Sequence, residues 1–396
     1  MTYIAQHLRG FAATFVLLTF CTIVGSPVGS LAQATQPSTS TQTPADQKQQ
    51  QQNPAAGGPQ GDIGPIAVPK KKTEEKPPEK PEKVKNPAGL EDYSLRVNVP
   101  LVTVDVSVLT KDGQFIPGLK QGNFRIVEDG VPQKVANFAV TEAPITAVLL
   151  VEFANTNYAF INDMLNGAYS FMGSLKPEDW VAVVSYDMKP KTEVDFTQDK
   201  RAIAGALNTL RIPGFSETNL FDALYDTLDR VEGIEGRKYV ILISSGLDTF
   251  SRLTFDKILN KVKNSHNVTI YAVSTGRAVR EYYDARGAMG SIARLDYLQA
   301  DNQMSTFAKL TGGMSYFPRF EAEFPEIFRD IAQTIRNQYT IAYHPSNAKQ
   351  DGSYRKLKVE LVDENGQPLK VQDQKGKNIK YQIISRDGYR AKQVVE

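Results

Sequence analysis

The sequence predicts an α/β fold: a doubly wound, mostly parallel sheet, joined by a β-sandwich-like module built from the segments on either side of it. Three observations carry this. Between Ile145 and Asn337, Val/Ile-rich runs such as AVLLVEF and YVILISS alternate with amphipathic stretches such as LFDALYDTLDRVEG, the pattern of strands buried on both faces between helices. Each apolar run ends abruptly in small and acidic residues, as a parallel strand does where it reaches the carboxyl edge of its sheet. Outside that region the pattern changes to period two, with Val102, Val104, Val106 and Val108 alternating with polar neighbours.

Length and composition allow this architecture with chain to spare. The 396 residues are 41% hydrophobic and 23% charged, enough for two globular bodies, with a remainder that cannot form core. The 46 Lys plus Arg nearly balance the 44 Asp plus Glu, which removes any bulk electrostatic case for nucleic acid.

Residues 1–34 read as an export signal. His7 and Arg9 precede an apolar stretch from Phe11 to Val24, shorter than the roughly 20 residues a membrane span needs, and small residues follow around Ala32 and Ala34. No stable membrane span is expected after its removal. The single cysteine, Cys21, lies inside this stretch behind the bulky Phe20, which argues against lipidation. The mature chain then has no thiol, so disulfides and cysteine nucleophiles drop out. Residues 35–89 are rich in Gln, Pro, Ser and Thr and end in the run KKKTEEKPPEKPEKVK, a composition that reads as a disordered, extended linker.

An amino-terminal β module is expected over 90–143, with turns at Lys111-Asp112-Gly113 and Asp129-Gly130. A carboxyl-terminal β segment is expected over 338–396, with turns at Glu364-Asn365-Gly366 and Asp387-Gly388. Neither flank alone supplies a two-sheet core, so the two are expected to pack together, with the α/β domain over 144–337 inserted between them. Inside that domain TEVDFT follows WVAVVSYD so closely that an antiparallel edge strand is expected, with its turn through Lys189-Pro190-Lys191.

The motifs NFRIVEDGVPQ, GFSETNLFDALYDTLDRV, ILISSGLDTFS, QYTIAYHP and RDGYRA, in this order from about Tyr93 to the end, resemble the acidobacterial-type VWFA-related domain proteins. That resemblance implies a von Willebrand factor type A fold, export and a non-enzymatic binding role. Metal-binding type A domains hold Mg²⁺ with a DxSxS motif after the first strand, a Thr before a central helix and an Asp after the fourth strand. Laid onto this chain, the positions are Glu152, Ala154 and Thr156, then Thr218, then Ser245; Asp248 and Asn155 are near enough to compensate in part, or else Asp248 caps the helix that follows it. Ala154 has no oxygen and Ser245 no charge, so the resemblance implies a degenerate adhesion site: no cofactor is expected, and a divalent cation would be held weakly.

Other chemistry is poorly supported. Ser244-Ser245-Gly246 lacks the flanking glycine of a nucleophile elbow, and His266 and His344 lie in a polar turn and at a strand end. A partner-binding surface is expected at Asn155 and in the stretch from Gly276 to Asp301, where Arg277, Arg280, Tyr282, Tyr283 and Arg286 bring together the residue types that dominate interface hot spots. The expected partner is a protein or a surface polymer, met in the periplasm, at the cell surface or outside the cell. The alternative is a scaffold whose α/β domain is inert and whose β module makes the contacts.

Overall fold

The computed structural model describes residues 100–141, 144–154, 161–372 and 376–393. The expected export signal and linker, Asn155 and Thr156 lie outside them.

The amino-terminal flank forms β1 (Val102–Thr110), β2 (Phe124–Glu128), β3 (Val131–Gln133) and β4 (Val135–Thr141). The central region forms β5 (Thr146–Glu152), α1 (Ile161–Gly173), β6 (Trp180–Tyr186), β7 (Pro190–Thr197), α2 (Lys200–Thr209), α3 (Leu220–Glu232) and β8 (Lys238–Ser244). It continues with α4 (Phe255–Asn264), β9 (Val268–Ser274), α5 (Gly276–Asp284), α6 (Ser291–Thr311), β10 (Ser315–Tyr316) and α7 (Phe324–Arg336). The carboxyl-terminal flank supplies β11 (Gln338–Tyr343), β12 (Tyr354–Leu361), β13 (Tyr381–Ser385) and β14 (Gly388–Arg390).

The central sheet runs β10-β9-β8-β5-β6-β7, parallel except for β7, which pairs antiparallel with β6 at the edge. Every residue of β5 is buried, and its alternation feeds two cores. Leu149 and Val151 pack with Phe171 of α1, Ile203 of α2 and Phe328 of α7, while Val148 and Leu150 pack with Leu224 of α3, Ile258 of α4 and Phe307 of α6. Each such fully buried aliphatic side chain contributes about 1.5–3 kcal/mol. The β6–β7 turn comes two residues earlier than the sequence suggests. Tyr186 pairs with Pro190, so Asp187, Met188 and Lys189 make the turn and Pro190 opens the edge strand, where its missing N–H costs no ladder bond.

The flanks interleave into two antiparallel sheets, β13-β1-β11-β4 and β14-β12-β2-β3. Val104 and Val106 of β1, Phe124 and Ile126 of β2, Tyr339 and Ile341 of β11 and Val359 of β12 share one core. The Asp129-Gly130 turn joins β2 to β3 with both residues at positive φ, the geometry a two-residue hairpin needs. Asp387-Gly388, by contrast, closes no hairpin. The chain there leaves β13 in one sheet and enters β14 in the other.

The sandwich meets the central domain at the amino-terminal ends of the parallel strands. Arg237, just before β8, lies 3.4 Å from Asp105 of β1, and the Tyr239 hydroxyl donates to Gln338 of β11 at 3.1 Å. Arg386 donates to the Ser265 carbonyl at 3.3 Å and Arg390 to Asn264 at 2.5 Å. The carboxyl edge of the sheet therefore lies at the end of the domain away from the sandwich.

Candidate functional site

At the carboxyl edge, β5 ends in Glu152 and its neighbour β8 ends in Ser244, followed by the turn Ser245 to Phe250. Glu152 is fully buried. Its Oε2 accepts from the Ser244 hydroxyl at 2.7 Å, the Ser245 amide at 2.7 Å and the Ser245 hydroxyl at 2.9 Å; Oε1 lies 3.0 Å from that same hydroxyl. A serine hydroxyl has one proton, and both serines direct theirs at Glu152. Ser244 Oγ accepts in turn from the Tyr186 hydroxyl and the Gly246 amide, each at 2.8 Å. Tyr186 ends β6, directly opposite Glu152 in register. Burial, and then the Glu152 charge, push its hydroxyl well above the usual phenol range, so it stays a neutral donor.

The turn after β8 is fastened to the loop before α3. Thr218 donates its hydroxyl to the Leu247 carbonyl at 2.5 Å, and its own carbonyl accepts from the Thr249 and Phe250 amides at 2.9 and 2.8 Å. Asp248 accepts from the Phe221 amide at 3.2 Å and the Ser251 hydroxyl at 2.5 Å. It thus caps α3, which comes before it in the chain, and not the helix that follows. Burial raises its carboxyl above the ordinary range.

Among the described residues the donor set does not fit Mg²⁺, which takes about six hard oxygens in near-octahedral array. Ala154 is buried and offers none, the Thr218 hydroxyl is turned to a carbonyl, and the Glu152 oxygens already hold two hydroxyls and an amide. Among the described residues no three His, Cys, Asp or Glu side chains cluster as a metal would require.

Of the residues singled out in the sequence, Glu152 and Ser245 touch, and Thr218 and Asp248 line the adjoining turn without reaching Glu152 among the hydrogen bonds described. The stretch expected to bind a partner is a pair of helices, α5 and α6, and its charges face one another. Arg277 lies 3.3 Å from Glu281, Arg280 3.2 Å from Asp301, and Arg294 2.6 Å from Asp284. The Arg286 guanidinium stacks 3.6 Å above the Tyr282 ring, which meets Tyr283 edge-on at 5.3 Å. Tyr282 and Tyr283 remain exposed.

These helices close down on the site. A side chain at Gly276 would place its Cβ 2.5 Å from the Ser245 carbonyl, and one at Gly246, where φ is +79°, would meet Ala300 and Met304 at 3.0 Å. Tyr297 is buried close enough to feel the Glu152 charge, its hydroxyl pushed up to about 12, mainly by burial. A cleft of about 620 Å³ remains between α3, the turn after β8 and α6, with Phe221, Leu247, Asp248, Phe255, Asp296 and Tyr297 among its walls. Sequence reasoning missed Tyr186 and this cleft. Tyr186 could have been found, because it ends a strand that aligns with the Glu152 strand; the cleft depends on where α6 lies.

His266 lies in the α4–β9 turn at the opposite end of the sheet, and His344 follows β11 in the sandwich, its Nδ1 3.2 Å from the Pro100 carbonyl. Neither reaches Ser244 or Ser245.

The von Willebrand factor type A domain model matches residues 154–292. No protein of curated function matches the chain in sequence. Among solved structures, the vWF domain of the type V pili tip protein Mfa5 from Porphyromonas gingivalis is 15% identical, with 49% of this chain and 96% of that one covered and a TM-score of 0.38. A von Willebrand factor type A protein from Catenulispora acidiphila is 12% identical over 74% of this chain and 75% of its own, with a TM-score of 0.39. The PilB minor pilin from Streptococcus sanguinis is 10% identical over 50% of this chain and 63% of its own, with a TM-score of 0.37. At these values the likenesses say nothing of function. The family match, the strand order and the place of Glu152 and Ser245 at the carboxyl edge agree, and the chain carries a von Willebrand factor type A domain.

Proposed function

We propose that this protein is an exported, non-enzymatic binding module whose type A domain engages a protein or surface polymer through the carboxyl edge of its sheet, without relying on a metal ion. The observation that carries the reading is the state of Glu152. Its carboxylate is enclosed by Ser244 and Ser245, so it holds the rim in shape and is not offered to a cation. The same arrangement argues against hydrolytic chemistry, since both serine protons point at a carboxylate inside the protein and no histidine among the described residues stands beside them. The sandwich occupies the other end of the sheet and does not itself cover the rim.

A second reading makes the type A domain a spacer and gives recognition to the sandwich. It draws on the exposed apolar residues Val140 on edge strand β4 and Val131 on edge strand β3.

The two separate in a capture experiment with the exported chain and an envelope fraction. Thr249→Arg with Phe250→Glu alters exposed positions of the rim, and Val131→Ser with Val140→Ser alters the sandwich. Specific capture lost only with the rim pair supports the first reading. Loss only with the sandwich pair, or no specific capture at all, overturns it.

A further inference from the structure

We infer that the cleft between α3, the turn after β8 and α6 receives a basic side chain, lysine or arginine, from a protein partner. This rests on the rim reading above and names the chemistry of its partner.

The walls suit a long aliphatic stem with a charged tip. Phe221, Leu247, Phe255 and Tyr297 give an apolar lining in a cleft of about 620 Å³, large enough for a side chain together with the backbone that carries it. Lys and Arg bury their methylenes along such a surface and keep the charge at the end, and an aromatic face attracts the cation itself. Two carboxylates stand at the walls, Asp248 from the turn and Asp296 from α6. Asp296 is exposed and forms no ion pair among the described residues. Asp248 is partly withdrawn from water, and burial penalises its charge; a cation in the cleft would relieve that penalty. Arg294, two residues before Asp296, is bound to Asp284, and Arg252, four residues after Asp248, forms no ion pair with either carboxylate among the described residues.

The polarity follows from the site beside it. In a type A domain that holds an ion, the ion would attract an acidic group of the partner. Here the serines have taken the place of the ion at Glu152, and what the rim presents next to it is negative.

The test uses fluorescent peptides of alternating glycine with lysine, arginine, glutamate or glutamine, titrated against the full exported chain at about 50 mM and about 300 mM salt. Ala293→Trp fills the cleft and Asp296→Lys reverses its charge. Both positions are exposed on the first turns of α6, and thermal melts check that each variant is folded. Asp248→Asn is the third variant. The lysine and arginine peptides are expected to bind, more weakly at the higher salt, while the glutamate and glutamine peptides do not; each variant is expected to weaken binding by about tenfold or more. Equal binding to wild type and to Ala293→Trp, tighter binding of the glutamate peptide, or no binding of any peptide overturns the inference. A rim-dependent envelope partner whose capture survives both α6 substitutions would overturn it while leaving the rim reading in place.

Discussion

Ser245 holds Glu152 twice, through its amide at 2.7 Å and its hydroxyl at 2.9 Å, although the two residues are 93 positions apart in the chain. The pair joins the ends of adjacent parallel strands across the middle of the sheet, where a metal-binding relative would place its cation.

Changing Glu152 to Gln should therefore destabilise the fold. With its one oxygen at the Oε2 position Gln still accepts from Ser244 and Ser245, but three charge-assisted bonds become neutral ones and an amide nitrogen replaces the oxygen beside the Ser245 hydroxyl, at a cost of about 2–3 kcal/mol. Ser245→Ala removes the hydroxyl, with its bond to Glu152 and the one it accepts from the Leu247 amide, and keeps the Ser245 amide bond, so a smaller loss of about 1–2 kcal/mol is expected. Urea titration of both variants checks the order; a Glu152→Gln protein as stable as wild type would contradict the structural role given to this carboxylate.

Millimolar Mg²⁺ or Mn²⁺ should leave the melting temperature of the wild-type chain unchanged. The double variant Ala154→Ser, Ser245→Asp restores an oxygen and a charge. Without metal it should be less stable than wild type, because two carboxylates then share a buried site. With metal at tenfold over its dissociation constant it should recover about 1.4 kcal/mol. Calorimetric melts with and without the ion read this directly, and wild-type protein stabilised by Mg²⁺ would be the opposing result.

Gly276→Ala should disturb the rim from outside it. The added methyl would lie 2.5 Å from the Ser245 carbonyl and 3.0 Å from the Tyr297 ring, so the start of α5 has to move. Overpacking of this kind costs about 1–3 kcal/mol. Faster amide hydrogen exchange at Ser245 and Gly246, together with a lower melting temperature, is the expected signature.

Asp248 makes a pH prediction whose sign can be fixed. Its carboxyl is raised above the ordinary 3.8 by burial, so the folded state binds the proton more tightly than the unfolded chain. The stability this gives is present below pH 3.8 and is lost as pH rises through the folded value. Asp248→Asn still accepts from Phe221 and Ser251 but lacks the charge. Relative to wild type it should gain at about pH 7 compared with about pH 4, measured as the difference between the two melting temperatures; an advantage that grows on acidification would reverse the assignment.

The long parallel strands β5, β6, β8 and β9 were legible because they are buried on both faces, which writes an unbroken apolar run into a short stretch of sequence. Glu152 and Ser245 were legible as rim residues for the same reason: they stand where such runs stop. The Arg/Tyr stretch was legible as unusual but not in its role. Arg280 finds Asp301 only once α5 and α6 fold back on each other, and a charge that is paired inside the protein looks the same in sequence as one offered to a partner.

By itself, then, the sequence determined the α/β alternation, the edge position of the strand that carries TEVDFT and the need for the two flanks to share a core. Those follow from side-chain period and from the area each segment must bury, both local properties. Only the tertiary structure decided that the Ser244 and Ser245 protons point at Glu152, that Asp248 caps a helix behind it in the chain, and that α6 opens an acidic, aromatic cleft beside the rim. Hydrogen bonds and clefts are set by distance in space, and which distant residues meet is fixed by packing across the whole domain.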